Sequence, residues 1–463
     1  MDKRGVPIVN RSIYESPKRN NGIFKRTFIK RSSPFLFRQD ISLLEAYDQF
    51  SEACFQSHLR SPILKTPSSL ELNLRQLHLN SQRDLPHGSV EHKRRRDERE
   101  ISKISRAFPK LSNYYKLLER IGQGTFSKVY KALDLYYDLY VPRKKCKAQR
   151  FDGRQYVAIK ILYETSSPKR ISDEISYLAA LSEAPCITSL VAAFRHEATT
   201  YIVLPYINYD DFDTLYYCMS MDDIKCYFYD LFTGLKHAHA LGIVHRDIKP
   251  SNFLYHSESK SGYLADFGLA QKEAELAEIR QEPFNERELE NVKLYTKQLA
   301  PGYYANDTRR SIRAHRAGTR GFRAPEIILR FIHQTTAIDI WSVGVMLLVC
   351  LSGCYPYFQA EDDADALIEF ITIFGSMKMK ACASFYKRRL HFNIPTLPKD
   401  PIPLHGLCLE TNKAHIETWD PNDYNNAIHL LEMCFQLNHI ERITAAQALE
   451  HPFFHNIASI RPT

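Results

Sequence analysis

The stretch IVHRDIKPSNFLYH, residues 243–256, places three cations, a carboxylate and an amide between two apolar pairs. The polar members are His245, Arg246, Asp247, Lys249 and Asn252. A buried strand or an amphipathic helix would not normally tolerate so many charges beside apolar neighbours. The pattern instead predicts a loop that is anchored in a core by its apolar flanks and that directs its polar side chains at a charged ligand.

A glycine-containing turn lies upstream, between two predicted strands, in the segment IGQGTFSKV (121–129). Glycines such as Gly122 and Gly124 let backbone N–H groups approach a polyphosphate. Ser127 stands where a third glycine is expected, three residues after Gly124. A plain tight hairpin explains the turn about equally well, so this signal is weak by itself.

Lys160 lies late in the apolar strand QYVAIKIL (155–162). A lysine at such a position must either reach water or find a partner. Glu174, fourteen residues further on in the predicted helix 169–182, can supply that partner. A Lys–Glu pair that also reaches the α- and β-phosphates is how protein kinases fix ATP, whereas the alternative is an edge-strand lysine in water.

The opening stretch resembles the catalytic loop of protein kinases, with Ile248 where Leu is more common. The resemblance implies that Asp247 accepts the proton of a substrate hydroxyl and that Lys249 steadies the transferring phosphoryl charge. It implies that Asn252 and Asp266, the latter in Asp-Phe-Gly at 266–268, hold Mg²⁺. The sequence Ala-Pro-Glu at 324–326 and the buried helix that begins near 339 follow in the order found in this family.

These elements together resemble the eukaryotic protein kinase family over residues 114–455. The resemblance implies an α+β, bilobal fold with a sheet-rich N-lobe at 113–207 and a helical C-lobe at 208–463. It implies an active serine/threonine kinase that uses ATP and Mg²⁺, since Lys249 and Thr319 fit the serine/threonine branch. The positions expected to bind the nucleotide are Ile121, Gly122, Gly124, Ser127, Val129, Ala158, Lys160, Glu174, Pro205, Ile207 and Leu254.

A narrower similarity lies in HRDIKPSNFLY, ADFGLAQ, GTRGFRAPEIIL and YPYFQAEDDADALIEFITIFG. These phrases are similar to the cell-division-cycle kinase seven family, the catalytic subunits of the S-phase kinase that phosphorylates the MCM helicase at replication origins. The similarity implies a nuclear enzyme with an activating regulatory subunit. A physical reason supports such a subunit: the segment 266–326 is long and charged, and ordering it costs about 1–2 kcal/mol per residue, which a partner can offset.

Six arginines lie near the expected substrate strip, within TRRSIRAHRAGTRGFR (308–323). They are Arg309, Arg310, Arg313, Arg316, Arg320 and Arg323. Guanidinium groups suit carboxylates and phosphates, so we expect target Ser or Thr residues to be followed by acidic or phosphorylated residues. The alternatives are that these arginines solvate a loop or bind a phosphate on the enzyme's own segment.

The net positive charge is concentrated in residues 1–112, which contain 22 Lys and Arg and 12 Asp and Glu. The remaining residues contain 40 Lys and Arg and 41 Asp and Glu. We therefore expect a basic, mostly disordered arm with one or two short helices, and a core that does not bind nucleic acid directly. HKRRRDER (92–99) is a candidate nuclear-localisation signal or a solvated charge run. The polar segments 137–155 and 271–317 are expected to be surface inserts.

The chain has no apolar run of transmembrane length, since IWSVGVMLLVCLSG (340–353) is too short, and we expect no secretory signal. Its ten cysteines follow no disulfide framework and are expected to be reduced, with Cys350 and Cys354 in core packing rather than metal binding. The functions left open are a replication-firing kinase, a meiosis-specific relative acting in nuclear division or spore formation, another acid-directed kinase, and a non-catalytic scaffold.

Overall fold

A computed structural model describes residues 87–124, 126–136, 156–163, 166–276 and 317–461, with the backbone alone at 87–93. The first strands of the described chain form a five-stranded antiparallel sheet in the order β1-β2-β3-β5-β4. Its strands are β1 Tyr115–Gln123, β2 Ser127–Asp134, β3 Tyr156–Leu162, β4 Ala192–His196 and β5 Thr199–Pro205. The register sets Val129 of β2 opposite Lys160 of β3, so the glycine turn lies beside the expected nucleotide lysine.

Helices dominate from residue 212 onward, as the helical period of the sequence predicts. Before them come α1 His87–Ala107, α2 Pro109–Ser112 and α3 Pro168–Ala180. The later helices are α4 Phe212–Leu215, α5 Met221–Ala240, α6 Glu273–Leu276, α7 Pro325–Ile328, α8 Ala337–Ser352, α9 Asp363–Phe374, α10 Ser376–Phe385, α11 Leu404–Ile416, α12 Pro421–Cys434, α13 Ala445–Leu449 and α14 Ile457–Ile460. The mixed architecture, with its sheet first and its helices after, agrees with the bilobal α+β expectation.

The apolar run 340–353 is a core element, because α8 is buried on all sides from Ile338 to Ser352. Among the described helices, none combines the length and the apolar character needed to cross a bilayer. The eight cysteines in the described ranges are all free, and Cys350 is buried while Cys354 is half-buried. The burial of Cys350 agrees with a role in core packing.

The stretch 243–256 begins and ends in short strands, each of which belongs to a two-stranded sheet. Strand β6, Ile243–Val244, pairs with β9, Gln271–Lys272, and strand β7, Phe253–His256, pairs with β8, Ser261–Leu264. Ile243 and Val244 are fully buried. The polar residues 245–252 therefore form the loop between two anchored strands, as the sequence predicts.

Two expectations about the inserts and the arm need correction where the structure describes them. Ordered structure begins before residue 113, because α1 and α2 pack against β1 and bury Asp97 and Phe108. The predicted surface insert begins later than 271, because residues 271–272 form β9 and Leu276 is fully buried. Residues 1–86, 137–155 and 277–316 lie outside the described residues, and the predictions for them stay predictions.

Candidate active site

The first cluster of polar residues joins the sheet, helix α3 and the Asp-Phe-Gly segment. Lys160 Nζ donates to Glu174 Oε1 at 2.6 Å and to Asp266 Oδ1 at 2.7 Å. Lys160 lies late in β3 next to the buried Ile159, and Glu174 lies on the buried face of α3. The lysine therefore has the expected glutamate partner, and the alternative of an edge-strand lysine in water is wrong.

Electrostatic attraction keeps Lys160 and Asp266 charged, whereas burial raises the pKa of Glu174. Burial works against the ammonium of Lys160, but the attraction of Asp266 and Glu174 outweighs it and raises the pKa of Lys160. The Lys160 ammonium in turn lowers the pKa of Asp266 to about 2. Asp266 is therefore a carboxylate at neutral pH, and its side chain is still 49% exposed.

The second cluster lies around Asp247 in the loop between β6 and β7. Asp247 Oδ1 accepts hydrogen bonds from the hydroxyl of Thr319 at 2.7 Å and from its backbone N–H at 3.0 Å. Lys249 Nζ lies 2.8 Å from Asp247 Oδ2 and donates to the Thr319 hydroxyl at 2.9 Å. Asn252 Nδ2 donates to Asp247 Oδ2 at 3.1 Å and to its carbonyl at 2.8 Å. The sequence-predicted residues Asp247, Lys249, Asn252 and Thr319 thus form one contact group.

Ala265 links the two clusters through the backbone. Its N–H donates to the Asn252 carbonyl at 2.9 Å, and its carbonyl lies 3.0 Å from His245 Nε2. Ala265 directly precedes Asp266, so the Asp-Phe-Gly segment and the loop at 243–256 are fixed to each other. Lys160, Asp247, Asn252 and Asp266 consequently belong to one connected region.

Asp339, at the start of α8, accepts hydrogen bonds from the backbone of the loop between β6 and β7. It was not among the predicted site residues. It is 1% exposed; its Oδ2 accepts from the His245 N–H at 2.8 Å and its Oδ1 accepts from the Arg246 N–H at 2.8 Å. Arg246 has a φ of +69°, which a non-glycine residue adopts only when its surroundings fix it. The sequence signal was the buried position of an acid in an apolar helix, which requires a partner.

Gly318 packs closely against the same loop, at Arg246. Its φ is +102°, and a Cβ there would lie 2.7 Å from the Arg246 carbonyl oxygen. The position directly before Thr319 therefore requires a glycine.

Further along, Glu326 of α7 forms a fully buried, two-bond ion pair with Arg442 at 2.6 and 3.0 Å, and this pair was also not predicted.

The other predicted nucleotide-binding positions lie on the strands around the first cluster. Gly122 pairs with Val129 across the hairpin, Ala158 precedes Lys160 by two residues, and Pro205 is opposite Val157. The Gly124 N–H donates to the Ser127 carbonyl at 2.8 Å and closes the turn. Ile121 lies in β1, Ile207 lies two residues beyond the end of β5, and Leu254 lies in β7. The roles of these residues stay predictions, since no contact with a nucleotide is described.

Two oxygen atoms of the predicted metal ligands are suitably free. Within the described ranges, Asn252 Oδ1 and Asp266 Oδ2 accept no hydrogen bond, because the contacts of these side chains use Nδ2 and Oδ1. Mg²⁺ prefers oxygen ligands and is often held by one or two carboxylates together with substrate phosphates. The donor set of this chain therefore fits a magnesium ion bound with a polyphosphate.

The arginines near the substrate strip are described only in part. Arg309, Arg310, Arg313 and Arg316 lie outside the described residues. Arg320 donates to the Glu361 carbonyl at 2.5 Å. Arg323 donates to the Gly318 carbonyl at 3.0 Å and lies 3.7 Å from the Asp363 carboxylate. Both described arginines thus lie in the segment that directly follows Thr319.

Comparison with known proteins gives this arrangement its family. Residues 115–454 match the family described as the protein kinase domain. The cell cycle serine/threonine-protein kinase hsk1 of Schizosaccharomyces pombe is 38% identical over 386 residues, which cover 78% of this chain and 76% of that protein. The cell cycle protein kinase spo4 of the same organism is 37% identical, over 78% of this chain and 90% of its own. The probable cell division control protein 7 homolog 2 of Encephalitozoon cuniculi is 39% identical, over 78% of this chain and 96% of its own. The chain therefore belongs to the protein kinase family, as a serine/threonine kinase of the group related to cell division control protein 7.

Proposed function

We propose that this kinase transfers the γ-phosphate of ATP to Ser or Thr residues in acidic contexts, as the nuclear catalytic subunit of a replication-initiation kinase. MCM helicase subunits are the proposed substrates, and a regulatory subunit is the proposed activator. The observation that supports phosphoryl transfer is the contact group of Asp247, Lys249, Asn252 and Thr319 beside the Lys160–Asp266 pair. The similarity to cell division control protein 7 homologues supports the cell-cycle setting.

The geometry suggests a role for each residue of the contact group. Asp247 accepts two hydrogen bonds from Thr319, which orient its carboxylate, and a substrate hydroxyl brought against this carboxylate would give its proton to it. Lys249 lies within reach of both groups and would balance negative charge on the transferring phosphoryl. Mg²⁺ held by Asn252 and Asp266 would neutralise phosphate charge when bound.

A transfer assay with Mg²⁺ and ATP tests the activity. We expect Asp247→Asn to abolish phosphorylation of a serine peptide while leaving the binding of ADP within about twofold, because the carboxylate acts on the hydroxyl and not on the nucleotide. Glu98→Gln, on the solvent face of α1, serves as the matched acid-to-amide control. A wild-type chain that binds nucleotide but transfers nothing to protein, with or without its partner, supports the scaffold alternative instead.

Acidic-site preference is the part of the proposal that depends on Arg320 and Arg323. Their guanidinium groups border the segment that follows Thr319, and a charge-assisted hydrogen bond to a substrate carboxylate would raise kcat/KM by about tenfold or more. Peptides with Asp, Glu or phosphoserine after the target should therefore exceed matched Asn or Gln peptides. Equal kcat/KM values for the two series would contradict the preference and favour arginines that serve only their own loop.

Dependence on a regulatory subunit is tested with the purified chain. We expect the chain alone to be nearly inactive and a co-purified partner from dividing cells to raise the rate by orders of magnitude. The support is the length of the segment from Asp266 to Glu326, whose ordering costs free energy that a partner can offset. Full activity of the isolated chain would refute this part of the proposal and leave the transfer activity intact.

A meiosis-specific role is the second candidate. Two cell cycle kinases of one organism match this chain at 38% and 37% identity, so similarity does not separate the roles that two such kinases can have. Depletion in growing cells should block origin firing and MCM phosphorylation, and a fluorescent fusion should be nuclear. Normal vegetative S phase with failure of meiotic division or sporulation would select the second candidate.

A further inference from the structure

Helix α1 lies outside residues 115–454, which match the kinase domain, yet it is tied to the sheet by charged groups. Asp97 is 8% exposed and its Oδ1 lies 3.2 Å from Arg120 Nη2, in β1. At the end of the helix, Phe108 is 1% exposed and stacks on His196 at 3.9 Å between ring centroids. The inward face of α1 therefore has fixed contacts at both ends of its described part.

Glu100 contacts both strands of the glycine hairpin, meaning β1, β2 and the turn between them. Its Oε1 accepts from Lys128 Nζ at 3.3 Å; its Oε2 accepts from the Tyr130 hydroxyl at 3.2 Å and from Arg120 Nη1 at 3.4 Å. Arg120 belongs to β1, whereas Lys128 and Tyr130 belong to β2. We call these four residues the Glu100 cluster; in it, one carboxylate bridges two strands from a third element.

The Glu100 cluster lies next to the nucleotide end of the hairpin. Arg120 is opposite Tyr130, and the following pairs are Gly122 with Val129 and Gln123 with Lys128. Arg120 also donates to Gln123 at 2.7 Å, so the cluster continues to the last residue of β1. Lys128 directly follows Ser127, the residue that replaces a third glycine. A movement of α1 would thus be transmitted to the residues that would contact phosphate.

The charges of the cluster are consistent with a tight contact. Burial opposes ionisation of Glu100, but the hydrogen bonds and charges of Lys128, Tyr130 and Arg120 prevail and lower the pKa of Glu100. Burial and the Glu100 charge raise the pKa of Tyr130, which therefore stays a hydroxyl donor. The carboxylate is accordingly ionised at neutral pH and holds cationic and hydroxyl donors from both strands.

We propose that Glu100 is a positioning residue that holds the glycine hairpin in the geometry that binds ATP. The proposal rests on the proposed kinase function and adds a part of the chain that lies outside the kinase domain. A hairpin tip with two glycines has many backbone states, and holding both strands in advance reduces the entropy that nucleotide binding must remove. Loss of this contact therefore weakens nucleotide binding rather than the transfer step.

The test uses the full chain with Glu100→Gln, and Glu98→Gln on the same helix as the control. Glu98 pairs only with Arg94 among its described contacts, and its side chain is 60% exposed. We expect Glu100→Gln to raise both KM and Kd for ATP by about three- to tenfold, with kcat and the KM for peptide within about twofold of wild type. Glu98→Gln should match wild type in all four quantities.

A double-mutant cycle separates positioning from general stability. If Lys128 acts through Glu100, the variant with both Glu100→Gln and Lys128→Gln should bind ATP no more weakly than the weaker single variant. All measurements are made well below the melting temperature of each variant, so that a lost fold does not lower the active fraction. Glu100→Gln with a lower melting temperature but unchanged Kd and KM for ATP would overturn the proposal.

The design distinguishes this inference from the proposed function. If the wild-type chain binds ATP but transfers no phosphoryl group, the proposed function fails, and the Kd comparison still decides the role of Glu100. If the wild type phosphorylates peptides and Glu100→Gln has the same Kd for ATP, the positioning inference fails alone. A wild-type chain that binds no nucleotide overturns both.

Discussion

Replacing Asp339 with Asn is expected to reduce the rate of phosphoryl transfer without removing nucleotide binding. The carboxylate accepts the backbone N–H groups of His245 and Arg246 with separate oxygens, and Oδ2 also contacts His239 Nε2 at 2.9 Å. Asn keeps one of these acceptors and turns an NH₂ group toward the other site. One backbone donor next to Asp247 is then left facing a donor in a position that excludes water.

The structure allows the size of the effect to be worked out. A buried hydrogen bond to a charged group contributes about 1.5–3 kcal/mol, and Asp339 is 1% exposed, so solvent does not replace the lost bond. Arg246 holds a φ of +69°, a conformation that costs about 1–3 kcal/mol and that the two bonds to Asp339 maintain. We therefore expect the free energy of unfolding to fall by about 2–4 kcal/mol and kcat to fall by about 10- to 100-fold.

The assay compares Asp339→Asn with Glu326→Gln, which also removes one charged acceptor from a buried site. Glu326 contacts Arg442 and has no described contact with the loop at 243–256. Denaturant unfolding should show a loss of stability in both variants, and steady-state kinetics below both transitions should show a lower kcat in Asp339→Asn alone. Equal kcat in the two variants, after correction for the folded fraction, would refute the reasoning that Asp339 orients the loop.

Three further predictions rest on other contacts. Lys160→Met leaves two carboxylates without their shared cation and should lower kcat/KM by at least about 100-fold in a transfer assay, while a variant with near wild-type rates would contradict its role. Thr319→Ala removes the hydroxyl 2.7 Å from Asp247 and should lower kcat about tenfold, whereas Thr319→Ser should retain most activity. An equal loss of kcat in both variants would contradict a role of the hydroxyl. Burial and two neighbouring histidines lower the pKa of His451 to about 4, so its contribution to stability is complete above pH 6.5 and is lost as the pH falls toward 4. His451→Asn, which can still accept the Phe453 N–H, should flatten that pH dependence in thermal unfolding, and an unchanged slope would contradict the prediction.

The parts of the fold that the sequence predicted are those in which neighbouring residues determine the outcome. The alternation around the glycine turn, the apolar strand before Lys160 and the helical period after residue 211 each depend on local spacing. The pairing of Lys160 with Glu174 was also predictable, because a lysine in a buried strand needs an acid and α3 supplies one.

The part of the fold that the sequence missed is the packing of α1. The segment HKRRRDER has the composition of a solvated charge run, and nothing in its own period separates Asp97 from Glu98. Asp97 is nearly buried, whereas Glu98 is exposed, because the partner Arg120 lies in a strand more than twenty residues away. A local pattern contains no information about which distant cation will face which acid.

The same limit applied to the site. Motif spacing located Asp247, Asn252 and the start of the buried helix at Asp339. It did not predict that Asp339 binds the loop, because its two backbone partners lie more than ninety residues earlier in the chain. The Glu326–Arg442 pair joins residues still further apart. Burial of a charge without a partner is costly, so an acid at a buried position indicates a long-range contact. The sequence does not show which residue makes that contact.

Asp339 and Glu100 bear on two different steps, and this separation can be measured. Asp339 fixes the loop that includes Asp247, whereas Glu100 contacts the hairpin beside the nucleotide, and the two acids share no described partner. Sites without shared partners have effects that add to within about 0.5 kcal/mol. The combined Asp339→Asn and Glu100→Gln variant should therefore show the kcat of the first and the KM for ATP of the second. A kcat much lower than that of Asp339→Asn alone would mean that the hairpin and the loop are coupled through a contact other than those described, and that α1 acts on transfer as well as on binding.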